Sequence, residues 1–140
     1  MNYEYIKNKA NKQKWHSIEI LNYGVWNKEE ELAFSENGSP GSMVSEGGNT
    51  VIHAKPLDKM SECRDATFVK MDIEGAERYA LEGMRSIIEK NHPKLAVCIY
   101  HSDSDMLEIP NWIHSNYPFY KLFVRQHHYL PIETVLYAVP

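Results

Sequence analysis

Thr67-Phe68-Val69-Lys70-Met71-Asp72-Ile73-Glu74-Gly75-Ala76-Glu77 decides the reading of this chain. An apolar, strand-like run enters three carboxylates grouped around a glycine, and helical periodicity follows. Open parallel sheets bind ligands outside the carboxyl ends of their strands, so polar residues at such an end mark a candidate rim. The residues on either side extend the pattern. Ala66 to Met71 predicts a strand. Ala76, Ala80, Leu81, Met84, Ile87 and Ile88 recur at helical spacing and predict one amphipathic helix over 74–90. Asn91-His92-Pro93 stops it. Leu95-Ala96-Val97-Cys98-Ile99 is continuously apolar, which suits a strand covered on both faces.

Further along, Ser102 to Ser115 predicts helix, with Ser102 or Asp103 as cap and Pro110 opening a second segment. Phe119 to Val124 and Thr134 to Val139 predict two more strands paired as a hairpin. Alternation of strand and helix implies a parallel sheet with right-handed crossovers, closed by that hairpin. Upstream the signals are thinner. Residues 2–14 carry a narrow helical stripe of Tyr3, Tyr5, Ile6 and Ala10. Ser17 to Leu21 predicts a strand, Glu31 to Phe34 a short second one and Thr50 to Ala54 a third. Residues 35–50 have loop chemistry in Asn37-Gly38-Ser39-Pro40-Gly41-Ser42 and Gly47-Gly48-Asn49, and Pro56 to Met60 predicts a short helical turn.

The whole chain of 140 residues suffices for one domain with a core. A 43% hydrophobic and 24% charged composition is that of a globular protein. The net charge of −4 argues against nucleic acid or anionic membrane as partner. No apolar run approaches the roughly 20 residues of a membrane span, and the first residues lack a signal-peptide core. Cys63 and Cys98 are far apart and without metal spacing, so a reduced, cytoplasmic chain is expected.

Three predicted strand ends carry polar groups: Asp72, Glu74 and Glu77; Tyr100 and His101; Arg125, His127 and His128. Neighbouring strands would bring them to one rim. Plainer roles compete. Asp72 can be an N-cap, and acids in a first helical turn gain from the helix dipole, which is the simplest reading of Glu77. His127 and His128 can be a solvated turn. Lys70, within an apolar strand, needs a carboxylate, and Asp72 or Glu74 supplies one. His16, His53, His92 and His114 read as surface or loop residues. A metal site from Asp72, Glu74 and His101 has no compact ligand motif behind it.

Phe68 through Glu77, followed by Leu81-Glu82-Gly83, resembles the central motif of the FkbM family of methyltransferases. Pro93-Lys94-Leu95-Ala96 through Tyr100-His101, Asp105 to Pro110, Tyr120-Lys121-Leu122 through Arg125-Gln126-His127, and Glu133 to Ala138 resemble later family blocks in order. Ser39 to Gly48 and Leu57-Asp58 have weaker counterparts. The resemblance implies part of a class I, Rossmann-like α/β methyltransferase fold with a mixed sheet and a C-terminal antiparallel hairpin, as a single domain over 1–140. Residues 1–65 would form a strand, hairpin and loop region, and 66–140 a β-α-β-α-β-β core.

It further implies S-adenosylmethionine as cofactor and O-methylation of a hydroxyl on a sugar or secondary metabolite. Asp72 and Glu74 would stand at the cofactor–substrate junction, with Tyr100, His101 and His127 facing the substrate. His101 is the first choice of base and Asp72 the second. One departure matters. The family's glycine-rich turn after its first strand, and the acidic residue after its second, have no counterpart in this sequence. The implied strand order 3-2-1-4-5-7-6 then becomes 4-5-7-6 with strand 3, Ser17 to Leu21, orphaned. The free edge of Thr67 to Met71 would favour a homo-oligomer. The competing functional reading is a non-catalytic, oligomeric or interaction module; metal-dependent hydrolysis is a third.

Overall fold

The central strand forms where the apolar run predicts it. In the computed structural model, which describes residues 2–13, 17–34, 50–130 and 132–140, Lys94–Cys98 is bonded on both sides. In chain order the strands are β1 (Gly24–Val25), β2 (Glu30–Phe34), β3 (Thr50–Lys55), β4 (Phe68–Met71), β5 (Lys94–Cys98), β6 (Lys121–Gln126) and β7 (Thr134–Val139). The α-helices are α1 (Asn2–Gln13), α2 (Glu77–Glu82), α3 (Arg85–Asn91) and α4 (Asp105–Asn116).

β4, β5, β7 and β6 form one sheet in that order. β4 and β5 are parallel, with Met71 opposite Val97; β7 runs antiparallel to both β5 and β6. The carboxyl ends of β4, β5 and β6 therefore share one rim. A second sheet, in the order β1-β3-β2, comes from the first part of the chain.

The main core fills one face of the four-stranded sheet. Leu95, Val97, Leu136 and Ala138 pack there with Leu81 and Met84, with Ile88 of α3, and with Ile109 and Ile113 of α4. The opposite face holds a smaller cluster of Ala96, Cys98 and Val135, edged by Tyr100 and Tyr137. No helix among the described residues is long and apolar enough to cross a membrane.

Several expectations change. Ser17 to Leu21 forms no strand; the ladder lies instead at Gly24–Val25, parallel to Ala54–Lys55. A strand needs a partner to satisfy its backbone, and Ile18 in the predicted stretch is 53% exposed. β4 starts at Phe68 rather than Ala66, because the Ala66 N–H is used in a turn to the Cys63 carbonyl. The predicted loop over 35–49 and His16 lie outside the described residues.

The single helix expected over 74–90 is two helices, broken at Gly83 and Met84. The cause is distant in sequence. A Cβ on Gly83 would lie 2.1 Å from the Trp26 carbonyl oxygen. The Trp26 ring stacks on Tyr79 at 3.9 Å, and Asn27 Nδ2 donates to Glu82. The Gly83 carbonyl accepts the Asp58 N–H, and the Asp58 carboxylate accepts the N–H groups of Ser86 and Ile87 at 2.9 and 3.0 Å. Asp58, from a neighbouring 3-10 turn (Leu57–Lys59), thus satisfies two of the orphan donors that start α3.

Pro110 lies inside α4 rather than opening a segment. Ile109 before it and Trp112 and Ile113 after it are buried together, so packing carries the helix across the missing donor. His92 ends α3 in the left-handed conformation, φ 46°, just before Pro93.

Candidate functional site

The rim is built by the turn leaving β4 and the residues leaving β5. After Met71 the chain turns sharply: Glu74 has φ 57° and Gly75 φ 91°. A Cβ on Gly75 would be 4.0 Å from that of His101, so backbone conformation rather than space demands the glycine. α2 then starts at Glu77, whose carboxylate reaches back over the turn. Ile73 N–H donates to Glu77 Oε1 at 2.8 Å and Gly75 N–H donates to Oε2 at 2.9 Å. Glu77 is fully buried.

His101 stands against this turn with only 7% of its side chain exposed. Its Nε2 lies 3.2 Å from both Asp72 Oδ1 and Glu77 Oε1, and its Nδ1 lies 3.4 Å from Glu74 Oε2. These close contacts are ionic only when the ring is protonated, and neither oxygen near Nε2 is aligned for a hydrogen bond. One imidazole thus sits among three carboxylates. Among the described residues no group of three or more His, Cys, Asp or Glu side chains is arranged to hold a metal ion.

Asp72 is tied from the other side. Tyr100 donates its hydroxyl to Oδ1 at 3.1 Å, and Lys70 Nζ is 3.5 Å from Oδ2. Asp72 is a partner expected for Lys70, but the Lys70 side chain is 60% exposed, so burial is not what demands the pair. Partial burial works against the Asp72 charge, but bonds from the Cys98 thiol and the Tyr100 hydroxyl, with the Lys70 ammonium, outweigh it and hold the carboxyl below its usual range. The reverse acts on the donors. Burial, then the Asp72 carboxylate, pushes the Cys98 thiol and the Tyr100 phenol each up to about 12. Both therefore stay protonated and donating at neutral pH.

Of the residues singled out from the sequence, Asp72, Glu74, Tyr100 and His101 come together. His127 shares the rim but not the cluster. It lies two strands from β5, about 10 Å in strand spacings, and its Nε2 is 2.8 Å from the Tyr137 hydroxyl. His53 contacts Glu31 on the small sheet, and His92 packs on Phe119. A concavity of 570 Å³ lined by Tyr23, Glu29, Glu31, His53 and Lys55 belongs to that small sheet and touches no rim residue.

Sequence reading left Cys98 out of the cluster and, though it placed Glu77 at the rim, gave it the wrong simplest role. Cys98 looked like core. Glu77 looked most simply like an acid favoured by the dipole of a first helical turn, although the turn itself carries a signal: a glycine with positive φ exposes amide donors that need an acceptor.

The model of the methyltransferase FkbM domain matches residues 4–127. Among solved structures, the chain is similar to the crystal structure of methyltransferase FkbM from Methylobacillus flagellatus KT, with a TM-score of 0.77 and 28% identity. That match covers 98% of this chain and 33% of the other, so the chain spans about a third of its length. No curated protein matches. The mixed sheet and its strand order fit a Rossmann-like methyltransferase fold. With a domain model matched over most of its length, the chain belongs to the methyltransferase FkbM family.

Proposed function

We propose that the chain carries the substrate-side part of an S-adenosylmethionine-dependent O-methyltransferase site acting on a hydroxyl of a sugar or secondary metabolite, in the cytoplasm. The single observation that supports it most is His101, a nearly buried imidazole held among Asp72, Glu74 and Glu77 at the carboxyl end of β5. Two free cysteines agree with a reducing compartment.

The donor set fits one end of the cofactor. Anionic Asp72, with 40% of its side chain exposed, and Glu74, with 37%, suit a sulfonium cation. The strand–glycine turn–helix from β4 through Gly75 to α2 already has its Ile73 and Gly75 N–H groups bonded to Glu77, so these donors are not open to a nucleoside. When bound, S-adenosylmethionine supplies an electrophilic methyl group. His101 accepts the proton of the acceptor hydroxyl, and the carboxylates around it stabilise the imidazolium so formed. Asp72 is the more open group but the weaker base, since its partners favour the ionised form. Its part is to orient Tyr100 and the acceptor. His127 with Tyr137 stands further along the rim, where a larger acceptor would extend.

Titration calorimetry of the 140-residue chain with S-adenosylmethionine, followed by methyl transfer to polyols and sugars, tests this. Binding heat is expected, and His101→Ala should lower turnover by roughly 10²–10⁴-fold, the usual contribution of a general base. No heat at millimolar cofactor rejects it in favour of a non-catalytic module.

A specific observation favours that second reading. Among the described residues β4 pairs only with β5, and beside it lies a groove of 340 Å³ lined by Leu57, Cys63, Phe68, Val69 and Ile87. Phe68 is 58% exposed. An unpaired apolar edge of this kind recruits another strand, and a second copy is the proposed partner. A monomer by sedimentation at high concentration would exclude it.

A further inference from the structure

Glu77 is the one fully buried acid among the described residues, and the helix dipole alone does not explain it. Dipole compensation works with a solvated carboxylate and is worth only about 0.3–1 kcal/mol. Burying a carboxylate costs more than that unless it is bonded. Each Glu77 oxygen has a backbone donor, Ile73 N–H on Oε1 and Gly75 N–H on Oε2, and Oε1 also lies 3.2 Å from His101 Nε2.

The two bonded amides flank Glu74. Glu74 between them has positive φ, and so does Gly75, which carries the second bonded amide. For a non-glycine residue such as Glu74 this conformation is unfavourable and must be held by its surroundings. Fixing these peptides also fixes the direction in which the Glu74 side chain leaves the backbone, toward a contact 3.4 Å from His101 Nδ1, and where the chain leaves Asp72. One buried side chain thus meets both the turn that presents two carboxylates and the ring they face.

We infer that Glu77 is the positioning residue of the site: it locks the 73–75 turn through two bonds and, packed 3.2 Å from Nε2 without a hydrogen bond, restricts where the His101 ring can stand. As a statement about catalysis this rests on the methyl-transfer reading; as geometry it does not. A carboxylate can accept both amides at once, whereas a carboxamide of the same size cannot, because one of its two polar atoms is a donor.

The test is NMR of the 140-residue chain with no cofactor or substrate added. In the unmutated chain, hydrogen-bond couplings should join the Ile73 and Gly75 amide nitrogens to the Glu77 side-chain carboxyl carbon. Glu77→Gln should remove at least one of them. It should also move the His101 ring nitrogen signals more than those of His92 or His114, while the amide signals of α3 and α4 stay in place. A variant that melts earlier but leaves the His101 ring signals unmoved overturns the inference, since that is a purely structural loss. If Glu77→Gln does not fold, the couplings in the unmutated chain decide alone, and their absence overturns it. A chain that passes these tests yet transfers no methyl group keeps the positioning role and loses the reaction.

Discussion

On one face of the four-stranded sheet, Leu95, Val97, Leu136 and Ala138 lie under helices and are at most 1% exposed; on the other, Ala96, Cys98 and Val135 form a cluster that, among the described residues, contains no helical one. Side chains alternate between faces along a strand, so Lys70, Cys98 and Tyr100 all project from the second face, and all three act on Asp72. Glu77 belongs to a helix of the first face and meets His101. The polar cluster therefore sits where the two faces meet at the rim. The tightly packed face fixes where the strand ends lie, and the thinner face leaves lateral room for long polar side chains to reach across.

The strongest way to break that comparison is to remove volume from each face. Leu136→Ala should cost about 2–5 kcal/mol, as for other buried leucines. Val135→Ala, its neighbour on the thinner face, removes two carbons and should cost roughly 1.5 kcal/mol, at about 0.8 per methylene. Urea denaturation measures both, and equal losses would mean that the faces are equally packed.

Gly83→Ala tests whether packing from the first part of the chain holds the helical layer. With the Trp26 carbonyl in the way, the substitution should destabilise by about 1–3 kcal/mol as an overpacked site. A stabilised protein, as expected of alanine in a free helix, would show that the contact does not hold in solution.

Asp58→Ala should cost about 0.5–2 kcal/mol, the usual range for a lost helix cap. Faster amide exchange should be confined to Ser86, Ile87 and their neighbours. A melting curve identical to that of the unmutated chain would count against it.

The smallest effect expected belongs to the rim. Asp72 is held below its usual pKa in the fold, so its ionised form contributes stability above the ordinary aspartate range, about 3.9, and that contribution is lost as pH falls through the lower folded value. The stability gap between the unmutated chain and Asp72→Asn should be widest near neutral pH and close on acidification below about 4. Exposure and solvent screening keep it small. A gap that widens in acid would reverse the sign and sink this account.

Much of the four-stranded sheet was legible in the chain, for a physical reason. Leu95 to Ile99 is apolar because it is buried on both faces, and Asn91-His92-Pro93 stops a helix locally. The hairpin of β6 and β7 also follows from local pattern. Ser17 to Leu21 was misread because alternation predicts a strand only where a partner exists. The break at Gly83 was unreadable because Trp26 and Asp58 cause it, 57 and 25 positions away. At the site, Asp72, Glu74, Tyr100 and His101 could be picked out as strand-end polar residues. Their mutual distances could not.

By itself the sequence determined the order of strands and helices in its second half and the polar rim at their ends, since both depend on periodicity and on residues that start and stop elements. Only the tertiary structure decided that Glu77 is buried across the 73–75 turn, that Cys98 and Tyr100 serve Asp72, and that His127 belongs with Tyr137 instead of His101. Those outcomes depend on which side of a strand a residue faces and on what a distant segment packs against it.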